Sequence, residues 1–404
     1  MKVLIVHNYY GSTAPSGENK VFEAEMAMLK RYGHEVKTFI RRSDEIRDKG
    51  VLGLIRGAIS VPWNFFTTIQ IKRILKSFKP DVVHVHNTFP LISPSVFYAL
   101  EQKAASVITL HNYRIFCPAA LPFRNGKICL ECIESKNIVP ALVHSCYRQS
   151  LAATIPLAVN VSLHRILGTW TKKIDAFIVL SEFQKELIFK AGIPDSILHL
   201  KPNFHPIDPP VIPWSKKGRH IIFVGRLTVE KGILTLLNAW KLWGKDAPDL
   251  HIIGDGELRF ELENMAKGLP IKFFGQLEST ITHSKIAESQ LLILPSECFE
   301  GSPMAVIEAF AFGTPAAVSD IGPLPSIVKH GKCGPVFKFS NPQSIVSVLS
   351  DIWNDSDLLE SCGINAREEF NLNYTEKGNY KSLLDIYEKA ILSNVKKKLK
   401  LKQK

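Results

Sequence analysis

The chain has 404 residues, a formal net charge of +12, 46% hydrophobic and 22% charged residues. That length exceeds one ordinary core and suits two α/β domains, and the composition is that of a globular protein rather than a disordered one. No run reaches the ~18 apolar residues that a membrane-spanning helix needs. The opening segment Met1–His7 reads as a β-strand too short for a signal peptide, so a cytoplasmic location is expected.

Strand-like runs recur along the first half at Lys2–Val6, Glu35–Ile40, Asp81–His86, Ser106–His111 and Ala176–Leu180. They are short and nearly all apolar, as in parallel strands covered on both faces. Helical patterns alternate with them. In Gly17–Tyr32, Val21, Met28 and Leu29 fall near helical spacing. Strand–helix alternation predicts a doubly wound α/β domain. Val51–Phe78 is helix-compatible apart from Pro62, and Leu151–Leu167 is similarly apolar. Both segments suit either ordinary packing or contact with a bilayer, with Arg56, Lys72, Arg73 and Lys76 reaching anionic headgroups.

The segment 200–215 holds Pro202, Pro206, Pro209, Pro210 and Pro213 and reads as a linker. The pattern then restarts, with strands expected at His220–Val224, Leu250–Ile253, Ile271–Phe274, Leu291–Leu294, Ala316–Ser319 and Pro335–Phe339. The expected division is residues 1–203, 204–375, a C-terminal helix 376–394 that packs on either domain, and a basic tail 395–404. Ligands of such a pair are expected in the cleft between domains. Residues 1–200 carry 25 Lys+Arg against 15 Asp+Glu, a net +10, and the tail adds six lysines. Such a distribution suits a polyanionic neighbour or a solubilising tail.

The most informative stretch runs from Glu300 through Gly301, Ser302, Pro303 and Met304 to Glu308, between a strand and a helix. Free backbone N–H groups at a helix start receive an anion, and carboxylates on either side accept from hydroxyls. A sugar–diphosphate–ribose ligand offers hydroxyls, anion and hydroxyls in that order. Gly225, Arg226 and Leu227, then Glu230, Lys231 and Gly232, end an earlier strand and put two cations where a diphosphate can be neutralised.

The two elements together, in this order, resemble glycosyltransferase family 4, retaining enzymes of the GT-B fold, in which two Rossmann-like domains face each other across a cleft. The resemblance covers nearly the whole chain. It implies that Arg226 and Lys231 hold the donor diphosphate, with Gly17, Gly301, Ser302, Pro303 and Met304 approaching it. It gives Glu300 the sugar hydroxyls and Glu308 the ribose. His111 matches the family's histidine near the reacting carbon, and the base sits near Gln276 and Leu277. The function implied is sugar transfer from a nucleotide-diphosphate sugar to a saccharide or lipid-linked saccharide, with no catalytic metal. Fixed cations and backbone dipoles would stabilise the leaving diphosphate. An epimerase or phosphorylase on the same fold is the alternative enzyme. A nucleic-acid partner is not expected, because no basic stretch is interleaved with stacking aromatics.

The pair Asp355 and Asp357 lies in a polar turn with no strand before it and reads as a helix cap, not a metal site. His84 and His86 alternate along a strand and suit either the acceptor side or a satisfied core. Cys117, Cys129, Cys132 and Cys146 have the spacing C-x11-C-x2-C-x13-C. Such thiols suit a structural zinc or a set of buried cysteines. This insertion, 117–146, looks like one found in a subset of bacterial members.

Overall fold

The computed structural model describes residues 1–11, 16–48 and 50–402, without the side chains of Arg47, Leu401 and Lys402. The chain divides into two compact units. The first comprises residues 1–122, 130–202 and 379–404, the second 123–129 and 203–378.

The strands of the first unit are β1 (Lys2–Tyr9), β2 (Glu35–Arg42), β3 (Val82–Val85) and β4 (Ala105–Thr109). A two-stranded hairpin, β5 (Phe123–Arg124) and β6 (Lys127–Ile128), interrupts the series before β7 (Ala176–Val179) and β8 (Leu198–Leu200). The sheet runs β2-β1-β3-β4-β7-β8, parallel throughout. Every residue of β3, β4 and β7 is buried, which accounts for their largely apolar character; His84, Ser106 and Thr109 are the polar exceptions. The strand β8 was not anticipated. Its three residues end where the proline-rich stretch begins, too short to show alternation.

The helix α1 (Gly17–Arg31) lays Val21, Phe22, Glu25, Met28 and Leu29 into the interior of this unit. Glu25 thus occupies a core position of an otherwise apolar stripe. Val51–Phe78 forms two helices, Gly50–Ser60 and Phe65–Phe78, and the Asn64 side chain caps the second by accepting from Thr67 N.

The second unit contains β9 (Gly218–Val224), β10 (Asp249–Ile253), β11 (Ile271–Gly275), β12 (Ser289–Leu294), β13 (Ala316–Ser319) and β14 (Val336–Phe337). Its parallel sheet runs β11-β10-β9-β12-β13-β14. Successive residues serve opposite faces. Ile221 and Phe223 join one apolar cluster with Trp240, while Ile222 joins the other with Phe310. The strand order reverses between β9 and β12, and such a switch point leaves a crevice at the carboxyl ends of its two strands.

Three segments differ from expectation. The C-terminal helix runs from Glu376 to Lys402, so the described part of the basic tail is helical. From Asn379 onward it groups with the first unit, where Leu383, Ile386, Tyr387 and Ala390 are buried. The insertion 117–146 is divided, because the β5–β6 hairpin groups with the second unit and Ile128 packs against that unit's cluster around Phe310. The boundary falls after Pro202, one residue before the expected one. Asp355 caps the helix Ser356–Asn373, its Oδ1 accepting from Leu358 N at 2.9 Å.

Candidate active site

In the second unit the loops after β9 and β12 meet beside the switch point. After β9 the chain passes Arg226 and turns through a short 3-10 segment, Val229–Lys231. Gly232 ends that turn at φ +68°, a conformation that favours glycine. A Cβ there would lie 1.8 Å from the Pro295 carbonyl oxygen, so the two loops touch backbone to backbone. Glu297 N donates to Glu230 O at 3.0 Å, and Thr235 Oγ1 donates to Glu297 Oε1 at 2.5 Å.

That docking puts Lys231 Nζ 2.6 Å from Glu300 Oε1, which also accepts from Ser296 Oγ at 2.6 Å. Burial opposes both charges but does not win. The Lys231 ammonium holds the Glu300 carboxyl below its ordinary value, and Glu300 holds Lys231 above its own. Arg226 is more exposed, with Nη2 3.3 Å from Glu230 Oε1.

Past Glu300, Asn203 secures the turn. Its backbone N–H donates to Ser302 Oγ at 3.2 Å and its Nδ2 to Ser302 O at 2.8 Å. Pro303 precedes the helix Met304–Ala311, and its carbonyl accepts from Val306 and Ile307. Around this apolar helix Val306, Ile307, Ala309 and Phe310 are all buried. Glu308 is its one acidic residue, 5% exposed, with Oε1 3.6 Å from His283 Nε2. Gln276 is exposed and Leu277 half-buried just beyond β11.

The structure thus brings Arg226, Lys231, Glu300, the turn Gly301–Met304 and Glu308 together within one unit. Sequence reasoning missed Ser296, Asn203 and His283. Asn203 was hidden in the proline-rich stretch, and the other two belong to no pattern of spacing.

In the first unit Gly17 is the first residue of α1. His111 lies just beyond β4 and lines a pocket with His86, Asn87, Asn112, Arg114 and Asn160. His84 is fully buried, its Nε2 2.8 Å from Thr109 Oγ1 and its Nδ1 2.8 Å from the Tyr387 hydroxyl. It is therefore a satisfied core histidine, whereas His86 reaches the pocket. Cys117, Cys132 and Cys146 lie in the first unit, and Cys129 ends the segment grouped with the second. Burial pushes the Cys117 thiol up to about 12, and its neighbours Cys132 and Cys146 add to the shift.

Two parallel-sheet units, with paired cations and carboxylates at a switch point, are the architecture of the GT-B class. Family models agree on both halves. Residues 16–208 match "Glycosyltransferase Family 4" and residues 205–369 match "Glycosyl transferases group 1". The chain belongs to glycosyltransferase family 4.

Over 364 residues the chain is 23% identical to a putative teichuronic acid biosynthesis glycosyltransferase, TuaC, of Bacillus subtilis, covering 82% of this chain and 84% of that one. It is 31% identical over 209 residues to an exopolysaccharide phosphotransferase of Streptomyces coelicolor. That match covers 48% of this chain and only 21% of the relative. Among solved structures, Anabaena HepE in complex with UDP superposes with a TM-score of 0.66 at 14% identity, covering 95% of this chain and 99% of that one.

Proposed function

We propose that this chain transfers a sugar, with retention of configuration, from a nucleotide-diphosphate sugar to a saccharide or lipid-linked saccharide in the assembly of a bacterial polysaccharide. The observation that carries this reading is the placement of Lys231, Glu300 and Glu308 around one turn at the β9/β12 switch point. A diphosphate seated on that turn meets Arg226, Lys231 and backbone N–H groups, a fixed positive environment for the charge that grows as the leaving group departs. Glu300 then accepts from sugar hydroxyls on one side and Glu308 from the ribose on the other. Fixed cations make a metal at the diphosphate unnecessary. The relative solved with UDP makes uridine the first base to test.

Calorimetric titration of the full chain with UDP and a panel of uridine, guanosine and adenosine diphosphate sugars tests the reading. Binding of at least one, with nucleotide released only when an acceptor is supplied, is the expected result. Release without acceptor would favour the epimerase alternative, and no binding would remove the reading.

An anionic membrane is the proposed site of action. The helices Gly50–Ser60 and Leu151–Ile166 pack together and, like Phe65–Phe78, hold no acidic residue. Leu52, Ile59, Phe65, Phe66 and Ile166 are each more than two-thirds exposed. Among the described residues no helix is long and apolar enough to cross a membrane, so this contact would be made from the surface. The four cysteines are proposed to hold one structural zinc, for which thiolates are suitable ligands.

A further inference from the structure

Glu25 is a carboxylate with no exposed surface, in the middle of the apolar stripe of α1. A buried charge of this kind is costly unless paired. Its Oε1 accepts from the ammonium of Lys201, itself 1% exposed, and Lys201 Nζ also donates to Asn379 Oδ1 at 3.1 Å. Burial opposes the charge on Glu25, but Lys201 and His86 outweigh it and hold the carboxyl well below its ordinary range. The second oxygen, Oε2, lies 3.3 Å from His86 Nε2. The other nitrogen of that ring, Nδ1, lies 3.0 Å from His111 Nε2, and the two rings are stacked 5.3 Å apart. Lys201, Glu25, His86 and His111 therefore form one line from the core of the first unit to the pocket wall.

The line has a direction. Among the described residues neither Glu25 Oε2 nor His86 Nε2 has another hydrogen-bond partner, and a carboxylate only accepts, so a neutral His86 ring is best served with its proton on the nitrogen facing Glu25. With Nδ1 of His86 bare, the donor in the next link is His111 Nε2–H. His111 then presents Nδ1 as its acceptor. We propose that Glu25 and His86 are positioning residues that fix the ring orientation and tautomer of His111, leaving its Nδ1 as a preset acceptor for a substrate hydroxyl. The arrangement is the second-partner logic by which an oriented carboxylate fixes a histidine. Burial, with the Lys201 ammonium adding to it, holds His111 well below the ordinary imidazole range, although Glu25 works the other way.

The ligand atoms of Glu25, His84 and His86 lie within 4.8 Å of one another, which also suits a cation. The Lys201 ammonium already compensates Glu25, and both nitrogens of His84 are engaged by Tyr387 and Thr109. The cluster is accordingly a proton-ordered chain rather than a metal cage.

The use of this chain in catalysis rests on the sugar-transfer reading; the proton placement does not. The test is long-range ¹H–¹⁵N NMR of the full protein with labelled histidine rings. In the unsubstituted protein His111 is expected to show a protonated Nε2 and a bare Nδ1. In His86→Phe that pattern is expected to collapse toward a tautomer average. Glu25→Leu/Lys201→Met, which removes both buried charges and the acceptor facing His86 together, should give the same collapse and serves if His86→Phe does not fold. A single-tautomer His111 signal that survives in a folded variant of either kind overturns the proposal. With a donor in hand, His86→Phe should lower turnover on the order of 10²-fold through misorientation, leaving the donor KM nearly unchanged. Equal turnover would overturn the catalytic part. A protein that binds no sugar nucleotide yet shows the single tautomer would sink the transferase reading and support the chain.

Discussion

Lys231 Nζ and Glu300 Oε1 lie 2.6 Å apart, although the two residues come from loops 69 positions apart in the chain. The family resemblance gives them separate tasks, diphosphate and sugar. The structure makes them partners as well. Each holds the other charged in a site where burial favours neither charge. Replacing Lys231 by Met leaves Glu300 with Ser296 as its hydrogen-bond donor. Breaking a largely buried pair from one side costs about 3 kcal/mol, which a urea unfolding curve will show. Nucleotide affinity should fall in the same variant. Unchanged stability together with unchanged UDP binding would remove Lys231 from the site.

The same pair sets a pH window. Glu300 has its carboxyl lowered from 4.5 in the folded state, so its contribution is present above that value and lost as pH falls through the folded one. Lys231 is raised from 10.5, so its contribution is present below that value and lost as pH rises through the folded one. The stability difference between the native chain and Lys231→Met should therefore be flat near neutrality and shrink in acid. A difference that grows on acidification would contradict the assignment.

Glu308 tests the ribose end. Charge-assisted hydrogen bonds contribute about 1.5–3 kcal/mol, so Glu308→Ala should weaken nucleotide binding roughly ten- to a hundredfold and remove most activity. Calorimetry with UDP reads the first and product release the second. An unchanged donor affinity and turnover would end this assignment.

Much of this was legible because it rests on local patterns. The Glu300–Glu308 spacing, the cations after β9 and the restart of strand–helix alternation are visible in consecutive residues. The Lys231–Glu300 contact was not, because it depends on Gly232 touching Pro295 across the switch point. Glu25 carried a readable signal, a charge at a core position between Val21 and Met28. Its partner Lys201 lies 176 residues away, and no spacing rule joins them. The hairpin at 123–129 illustrates the converse limit, since a short two-stranded element follows whatever surface buries Ile128.

Gly232 itself is the position where backbone geometry matters most. At φ +68° any side chain is strained, and a methyl group would overlap the Pro295 carbonyl. Strain and overpacking each cost about 1–3 kcal/mol, so Gly232→Ala should separate the two loops and lower the melting temperature by several degrees. Its nucleotide affinity should resemble that of Lys231→Met. Wild-type melting and wild-type binding together would mean that the contact does not organise the site.

The exposed apolar helices give the last prediction. Phe65 and Phe66 are 71% and 70% exposed at the start of a helix whose later turns carry Lys72, Arg73 and Lys76. Inserting a Phe into the headgroup boundary contributes roughly 1.5–3 kcal/mol, and each cation near an anionic surface about 1 kcal/mol. Lys72 is the weakest of these cations, because its ammonium lies 2.5 Å from Glu101. Vesicles containing phosphatidylglycerol should therefore bind the chain at low salt and release it as salt screens the headgroups. Phe65→Ser/Phe66→Ser should weaken binding more than tenfold at low salt, and Arg73→Gln/Lys76→Gln should mainly flatten the salt dependence. Neither pair belongs to the nucleotide site, so UDP affinity serves as the folding control. Absence of vesicle binding by the unsubstituted chain at low salt would remove the membrane from the proposal and leave those helices to a different partner.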